Sequence, residues 1–334
     1  MIVSRTPYRI SLFGGGTDFP GWYHKNGGAV IGTTINKYCY LSVRRLPPFF
    51  EHKHRIVYSK IELPNHVDDI EHPSVRAVLQ EHWAECGLEV HHQGDLPARS
   101  GLGSSSSFTV GLLNALRALK GKMSGPEWLA NEAIRIEQEV IGESVGSQDQ
   151  VWAAYGGTNI IKFEVNGKIN VQPLIVSKSQ VKNLNDHLLL FFTGFSRYAV
   201  EIESEKIARL SELDGYLSKL HDMVDSAAQI IQGRSGEVLD LGYMLHESWG
   251  IKKQLSGGVT TDAIDDIYRE GISAGALGGK LLGAGGGGFM LFFAPPEKHE
   301  NIRARLNKLI KVDIDVGSCG SKIVVYEPNG LEKV

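Results

Sequence analysis

The sequence predicts a mixed α/β chain folded as two domains. Three observations carry this. At 334 residues the chain is long for a single hydrophobic core. Short β-branched and apolar runs alternate with stretches of helical periodicity along its length. Three glycine-rich segments, Arg9–Asp18, Leu96–Ser107 and Lys280–Phe289, interrupt those runs where backbone must come close to something else.

The elements follow in order. The N-terminus is strand-like. Ile31–Val43 is rich in β-branched and aromatic residues and reads as a long strand, ended by Leu46-Pro47-Pro48. Residues 74–86 read as a helix and 88–95 as a strand. Phe108–Lys120 has helical spacing through Val110, Leu113, Leu116 and Leu119, and helical patterning returns over 127–141. Leu188–Thr193 is a short apolar run, expected as a buried strand. Long helical stretches fill 198–274, followed by a strand at 288–294, a helix at 297–310 and a last strand at 321–327. The domain change is expected near 178–187, where Ser177-Lys178-Ser179-Gln180 is polar and unpatterned, which divides the chain into 1–182 and 183–334.

Composition narrows the function classes. A hydrophobic content of 42% with 22% charged residues is ordinary for a globular protein. A net charge of -3 makes no electrostatic case for nucleic acid or an anionic membrane. Cys39, Cys86 and Cys319 are widely spaced and odd in number, with no Cys/His metal spacing, which argues against a disulfide framework or a zinc site. The N-terminus lacks the apolar run of a signal peptide, and no segment approaches the ~20 apolar residues of a membrane span. The expectation is a cytoplasmic protein with small-molecule partners. A homodimer stays open.

The middle glycine segment carries the strongest chemistry. A strand runs into Gly101-Leu102-Gly103-Ser104-Ser105-Ser106-Ser107, and an apolar helix follows at once. A helix N-terminus offers free N–H groups and partial positive charge, and glycine lets that backbone reach phosphate oxygens. A serine hydroxyl can also ligate Mg²⁺. Four serines can equally cap a helix with no ligand at all. The segment is neither a Walker A loop, which ends Gly-Lys-Ser/Thr, nor a dinucleotide fingerprint, since Ser106 stands where the third glycine belongs. Further on, Ser147 with Gln150 fits a capping box, placing Asp149 in the first turn of a short helix. A carboxylate there suits the general base of a kinase, and Glu137 on the preceding helix suits a second Mg²⁺ ligand. In the first segment, Arg9 suits neutralisation of a transferred phosphoryl group, and Asp18 suits sugar hydroxyls lying against Gly14-Gly15-Gly16. The combined reading is a small-molecule kinase acting on a sugar.

These motifs resemble the galactokinase, homoserine kinase, mevalonate kinase and phosphomevalonate kinase superfamily, the GHMP kinases, in order and spacing over nearly the full length. Thr6-Pro7-Tyr8-Arg9-Ile10-Ser11-Leu12-Phe13-Gly14-Gly15-Gly16-Thr17-Asp18 is similar to the galactokinase opening Ala-Pro-Gly-Arg-Val-Asn-Leu-Ile-Gly-Glu-His-Thr-Asp. Pro97-x3-Gly101-Leu102-Gly103-Ser104-Ser105 is similar to the family's phosphate loop. Gly283-Ala284-Gly285-Gly286-Gly287-Gly288 is similar to its third motif, which supports the site from the second domain. The resemblance implies an N-terminal α/β domain related to a ribosomal-protein fold and a ferredoxin-like C-terminal domain. It implies ATP as co-substrate with its phosphates wrapped by residues 101–107, Mg²⁺ on Ser105 and Glu137, and Asp149 as base.

Gly15 and Gly16 replace the Glu-His pair by which galactokinases hold their sugar. The triple glycine, the stretch Ala98–Phe108 and Thr193-Gly194-Phe195-Ser196-Arg197 look like the bacterial subgroup named for D-glycero-D-manno-heptose 7-phosphate kinases. That subgroup phosphorylates the anomeric hydroxyl of a sugar phosphate, for surface glycans. Such an acceptor needs cationic groups for its existing phosphate. Arg197 is the first candidate, followed by Lys37, Arg44, Arg99 and Lys280.

Overall fold

A computed structural model describes residues 1–83, 86–98, 100–194, 207, 209 and 212–328. The first unit is built on β1 (Ile2–Phe13) and the long β2 (Gly28–Arg45), joined through α1 (Pro20–Asn26). Then come β3 (Arg55–Val57), β4 (Ile61–Glu62), α2 (Pro73–His82), β5 (Leu88–Gly94), α3 (Ser104–Leu119) and α4 (Pro126–Arg135). A π-helical turn (Ile136–Val140) leads to α5 (Gln148–Tyr155), β6 (Thr158–Phe163), β7 (Ile169–Pro173) and α6 (Lys178–Asp186). The remainder is β8 (Leu188–Phe192), α7 (Asp214–Ile231), α8 (Asp240–Lys252), α9 (Asp262–Ser273), β9 (Gly278–Leu281), β10 (Phe289–Phe293), α10 (His299–Arg305), β11 (Ile310–Val312) and β12 (Lys322–Tyr326).

β2 is the spine of an eight-stranded sheet. It pairs with β1 along its length, with β6 through residues 28–33 and with β5 through residues 39–45. The sheet order is β12-β1-β2-β5-β3-β4, with β6 and β7 branching from β2. Against this sheet packs α3, buried through Val110, Leu112, Leu113 and Leu116, which is why its apolar residues extend around the helix rather than along one stripe. The core therefore fixes the N-terminus of α3 beside β1, where the Arg9 N–H donates to the Leu102 carbonyl at 3.1 Å.

The second sheet is four-stranded, antiparallel and ordered β11-β8-β10-β9. Helices α7 to α9 form the first crossover and α10 the second, a ferredoxin-like β-α-β-β-α-β plan with extra helices in its first connection. Its two central strands, β8 and β10, are continuous apolar runs buried almost throughout.

Four expectations are corrected. Residues 178–186 are helical rather than unpatterned linker. Ser177 Oγ accepts the Gln180 N–H at 3.2 Å while Gln180 Oε1 accepts the Ser177 N–H at 2.7 Å, a full capping box. The expected helix at 297–310 stops at Arg305, and Ile310 already belongs to β11. The last strand, placed by sequence with the second unit, pairs antiparallel with β1 and so lies in the first sheet. Ser147 makes no side-chain cap, because its hydroxyl accepts from Gln138 Nε2 at 3.0 Å and the Gln150 amide is used elsewhere.

Candidate functional site

A cleft of about 910 Å³ runs between the two sheets' units, and all three glycine-rich segments reach it. The middle segment turns from Ser100 into α3, with Gly103 as the N-cap residue in the left-handed region. Gly101, Gly103, Ser104, Ser105 and Ser106 line the cleft. Leu102 and Ser107, expected in the phosphate-binding set, do not. Leu102 is fully buried and lends only its carbonyl to the Arg9 N–H, and the Ser107 hydroxyl donates to the Pro7 carbonyl at 2.9 Å.

Arg9 and Asp149 lie together. Arg9 Nε donates to Asp149 Oδ1 at 2.7 Å and Nη2 to Oδ2 at 2.6 Å, while Nη1 donates to the Gly101 carbonyl at 2.7 Å. One guanidinium thus fixes the carboxylate by a two-point fork and ties it to the glycine loop. The arginine side chain is 6% exposed and that of Asp149 25%, so the carboxylate is the partner that meets the cleft. Its position in the first turn of α5 matches the sequence reading.

Glu137 sits on the π-helical turn, a local widening that sequence periodicity did not reveal. Its Oε2 accepts from Ser106 Oγ at 2.9 Å and from Gln150 Nε2 at 2.5 Å. Its Oε1 is buried with no partner. Burial pushes its pKa up to about 7, a rise that the neighbouring Thr109, Ser106 and Gln150 groups only partly oppose and the Glu143 charge adds to. Glu137 and the exposed Ser105 both line the cleft, and an orphaned carboxylate oxygen there fits a divalent cation.

From the first segment, Gly15, Gly16 and Asp18 line the cleft, and Gly14 is buried beneath β2. Asp18 Oδ1 accepts the Gly16 N–H at 2.9 Å and Oδ2 the Gln148 N–H at 3.4 Å. Burial raises its pKa above the ordinary carboxylate value, against those hydrogen bonds and with the Asp149 charge adding to the rise. From the second unit, Gly283, Gly285 and Gly287 line the cleft, whereas the Gly286 N–H is spent on the Val259 carbonyl at 3.0 Å.

Lys280 reaches the cleft and donates to the Leu12 carbonyl at 2.9 Å. Lys252, which the sequence reading missed, lines it too and donates to the carbonyls of Leu281 at 2.7 Å and Gly283 at 2.6 Å. Arg44 pairs instead with Glu89, and neither it nor Lys37 lines the cleft. Arg197 and Arg99 lie outside the described residues. Gln148, Gln150 and Ser11 were also missed as site residues. Their only sequence signal was adjacency to Asp149 and Arg9.

Comparison with known proteins supplies the family. The family description "GHMP kinases N terminal domain" matches residues 72–157, and "GHMP kinases C terminal" matches residues 226–312. A D-glycero-alpha-D-manno-heptose 7-phosphate kinase from Campylobacter jejuni is 30% identical over 92% of this chain and 93% of its own length. A galactokinase from Pyrococcus furiosus is 24% identical over 90% of this chain and 91% of its own length. The crystal structure of a D-glycero-D-manno-heptose 1-phosphate kinase from Bacteroides thetaiotaomicron superposes with a TM-score of 0.77 at 25% identity, covering 96% of this chain and 98% of that one. Among the described residues no helix is long and apolar enough to cross a membrane. With both family domains matched and a relative alike over nearly its whole length, the chain belongs to the GHMP kinases, phosphotransferases that act on an alcohol group.

Proposed function

We propose that the protein transfers the γ-phosphoryl group of ATP to the anomeric hydroxyl of D-glycero-D-manno-heptose 7-phosphate. The product is the 1,7-bisphosphate, a precursor of nucleotide-activated heptose for surface polysaccharide. The observation that carries the reading is the contact between base and phosphate loop. A Cβ on Gly103 would lie 3.4 Å from Asp149 Oδ2, so the carboxylate stands against the backbone proposed to hold the phosphates. The name of the Campylobacter jejuni heptose 7-phosphate kinase among its relatives supplies the acceptor.

In this reading the backbone N–H groups at the start of α3 bind the β- and γ-phosphates. Ser105 and Glu137 would hold Mg²⁺, which supplies charge neutralisation on those phosphates. Asp149, oriented by Arg9, accepts the proton of the acceptor hydroxyl as its oxygen bonds to phosphorus and the bond to ADP breaks. Arg9 acts through Asp149 and Gly101, to which its side chain donates hydrogen bonds, rather than as a free phosphoryl clamp. Asp18 orients the sugar.

The test is ADP release with Mg·ATP across heptose 7-phosphate, mannose 6-phosphate, mannose, galactose, fucose, mevalonate and homoserine. Turnover confined to sugar phosphates, with a 1-phosphate product, is the expected result. Faster turnover of a free hexose keeps the kinase and discards the heptose phosphate. No turnover with nucleotide still bound points to a non-catalytic regulator.

A further inference from the structure

The three successive glycines of the first segment are not equivalent. The Thr17 N–H donates to the Gly14 carbonyl at 3.0 Å, closing a turn in which Gly15 and Gly16 are the central residues. Gly16 has φ +105, and a Cβ there would press to 3.0 Å from Leu217, so the fold itself requires glycine. Gly14 is likewise fixed, since a Cβ would lie 2.0 Å from the Ala29 carbonyl oxygen. Gly15 is under neither constraint. Its φ lies outside the left-handed region, and the second position of such a turn accepts most residues. A Cβ there would meet nothing closer than Ser11 Oγ at 3.7 Å and Gln148 Nε2 at 3.9 Å, both ordinary contacts.

The missing side chain leaves a notch in the cleft wall, and two polar groups border it. Ser11 and Gln148 are each 8% exposed, and Ser11 Oγ and Gln148 Oε1 have no hydrogen-bond partner. A buried polar atom left unpaired is costly, so such atoms in a native site mark where a ligand's polar groups go. The notch adjoins Asp18, through the Gln148 N–H on its carboxylate.

We propose that Gly15, Ser11 and Gln148 form a polyol subsite that receives a hydroxylated arm of the acceptor, and that the absent side chain at Gly15 sets how large that arm can be. This rests on the reading of the Asp18 end as the acceptor end. Ser11 Oγ donates to or accepts from one hydroxyl of the arm, and Gln148 Oε1 accepts from another. No covalent step is involved.

The experiment uses the full chain and the acceptor that the wild type turns over fastest in the panel above. Gly15→Leu fills the notch without strain in the turn. It is expected to raise KM for that acceptor at least about tenfold, with the thermal midpoint and the calorimetric affinity for Mg·ADP unchanged. Ser11→Ala adds no bulk and is expected to raise the same KM about three- to tenfold. Acceptor KM unchanged in both variants overturns the subsite. So does a loss of Mg·ADP affinity in Gly15→Leu equal to the loss for the acceptor, which would assign the notch to the nucleotide. Failure of the heptose reading shows separately, in the wild-type panel before any variant is made.

Discussion

Gly101 and Gly283 meet backbone to backbone between the two units: a Cβ on Gly283 would lie 2.3 Å from the Gly101 Cα, and one on Gly101 would lie 2.4 Å from the Leu282 carbonyl oxygen. The first and third motifs of the cleft are thus locked through the middle one. Arg9 holds the Gly101 carbonyl from one side, and Lys252 holds the carbonyls of Leu281 and Gly283 from the other. A change at this contact moves the loop proposed to bind phosphate.

Gly283→Ala tests that coupling. The position has φ +73, which costs an L-residue about 1–2 kcal/mol before any clash is counted. The neighbouring atoms are backbone and cannot swing aside. The expected outcome is a lower thermal midpoint together with weaker Mg·ADP binding, read by calorimetry. A variant that loses stability while keeping wild-type nucleotide affinity would separate the junction from the phosphate loop.

Asp149→Asn keeps the shape of the carboxylate and removes its basicity. Turnover is expected to fall by a factor on the order of 10² or more with nucleotide affinity largely kept. Near-normal turnover would remove Asp149 from the base role. Arg9→Lys preserves the charge but loses the fork, and cannot reach both carboxylate oxygens and the Gly101 carbonyl together. It is expected to lower kcat and to loosen nucleotide binding in the same variant, a double effect that Asp149→Asn does not share.

Much of this site was legible in the sequence, and the limits have physical causes. Arg9, Ser105, Glu137 and Asp149, which line one cleft, could be singled out as candidates because glycine-rich segments mark close backbone approach, and spacing along α3 and α5 places their neighbours. The helical runs and the paired apolar strands β8 and β10 followed from periodicity. What escaped depends on side chains choosing between partners. Ser147 and Gln150 have the spacing of a capping box, yet Gln150 bonds Glu137, thirteen residues away in sequence. The Ser177 and Gln180 pair forms the box that a polar and unpatterned stretch concealed, even though Ser177 Oγ also meets Ser179 Oγ at 2.8 Å. The return of β12 to β1 is a long-range pairing that no local pattern encodes.

That choice by Gln150 makes a prediction about the metal. With Gln150 and Ser106 both donating to Oε2, the Glu137 carboxylate presents Oε1 as its unpaired oxygen. Gln150→Met removes one donor at similar volume. It is expected to weaken Mn²⁺ binding in the presence of ADP several-fold, measured by electron paramagnetic resonance, with Ser105→Ala and Glu137→Gln more severe. Wild-type Mn²⁺ affinity in Glu137→Gln would sink the metal assignment itself. Wild-type affinity in Gln150→Met alone would show only that this amide does not position the ligand.

The same carboxylate gives a pH dependence whose sign can be worked out. Glu137 titrates at about 7 when folded against 4.5 in the unfolded reference, so between these values the folded chain binds more protons. Stability contributed by the neutral acid is full below about 4.5 and is lost as pH rises through about 7, a difference on the order of 3 kcal/mol. Asp18, raised by burial, acts in the same direction from a lower starting point. Glu89 and Glu132, lowered in spite of burial by their hydrogen bonds to Arg44 and Arg135, lose their contribution only as pH falls below the ordinary carboxylate range. His54 and His92, lowered by burial, oppose the trend across the same window, since the unfolded chain binds their protons first. The wild-type profile is therefore a sum, and the difference from Glu137→Gln isolates the carboxylate. In urea unfolding without metal, wild type minus Glu137→Gln should fall as pH rises from about 5 to about 8. With Mg·ADP the fall should shrink, because a bound cation favours the ionised carboxylate. A difference that is flat without metal would mean that Glu137 is already ionised in the folded chain at pH about 5, and that burial is not what sets its proton affinity.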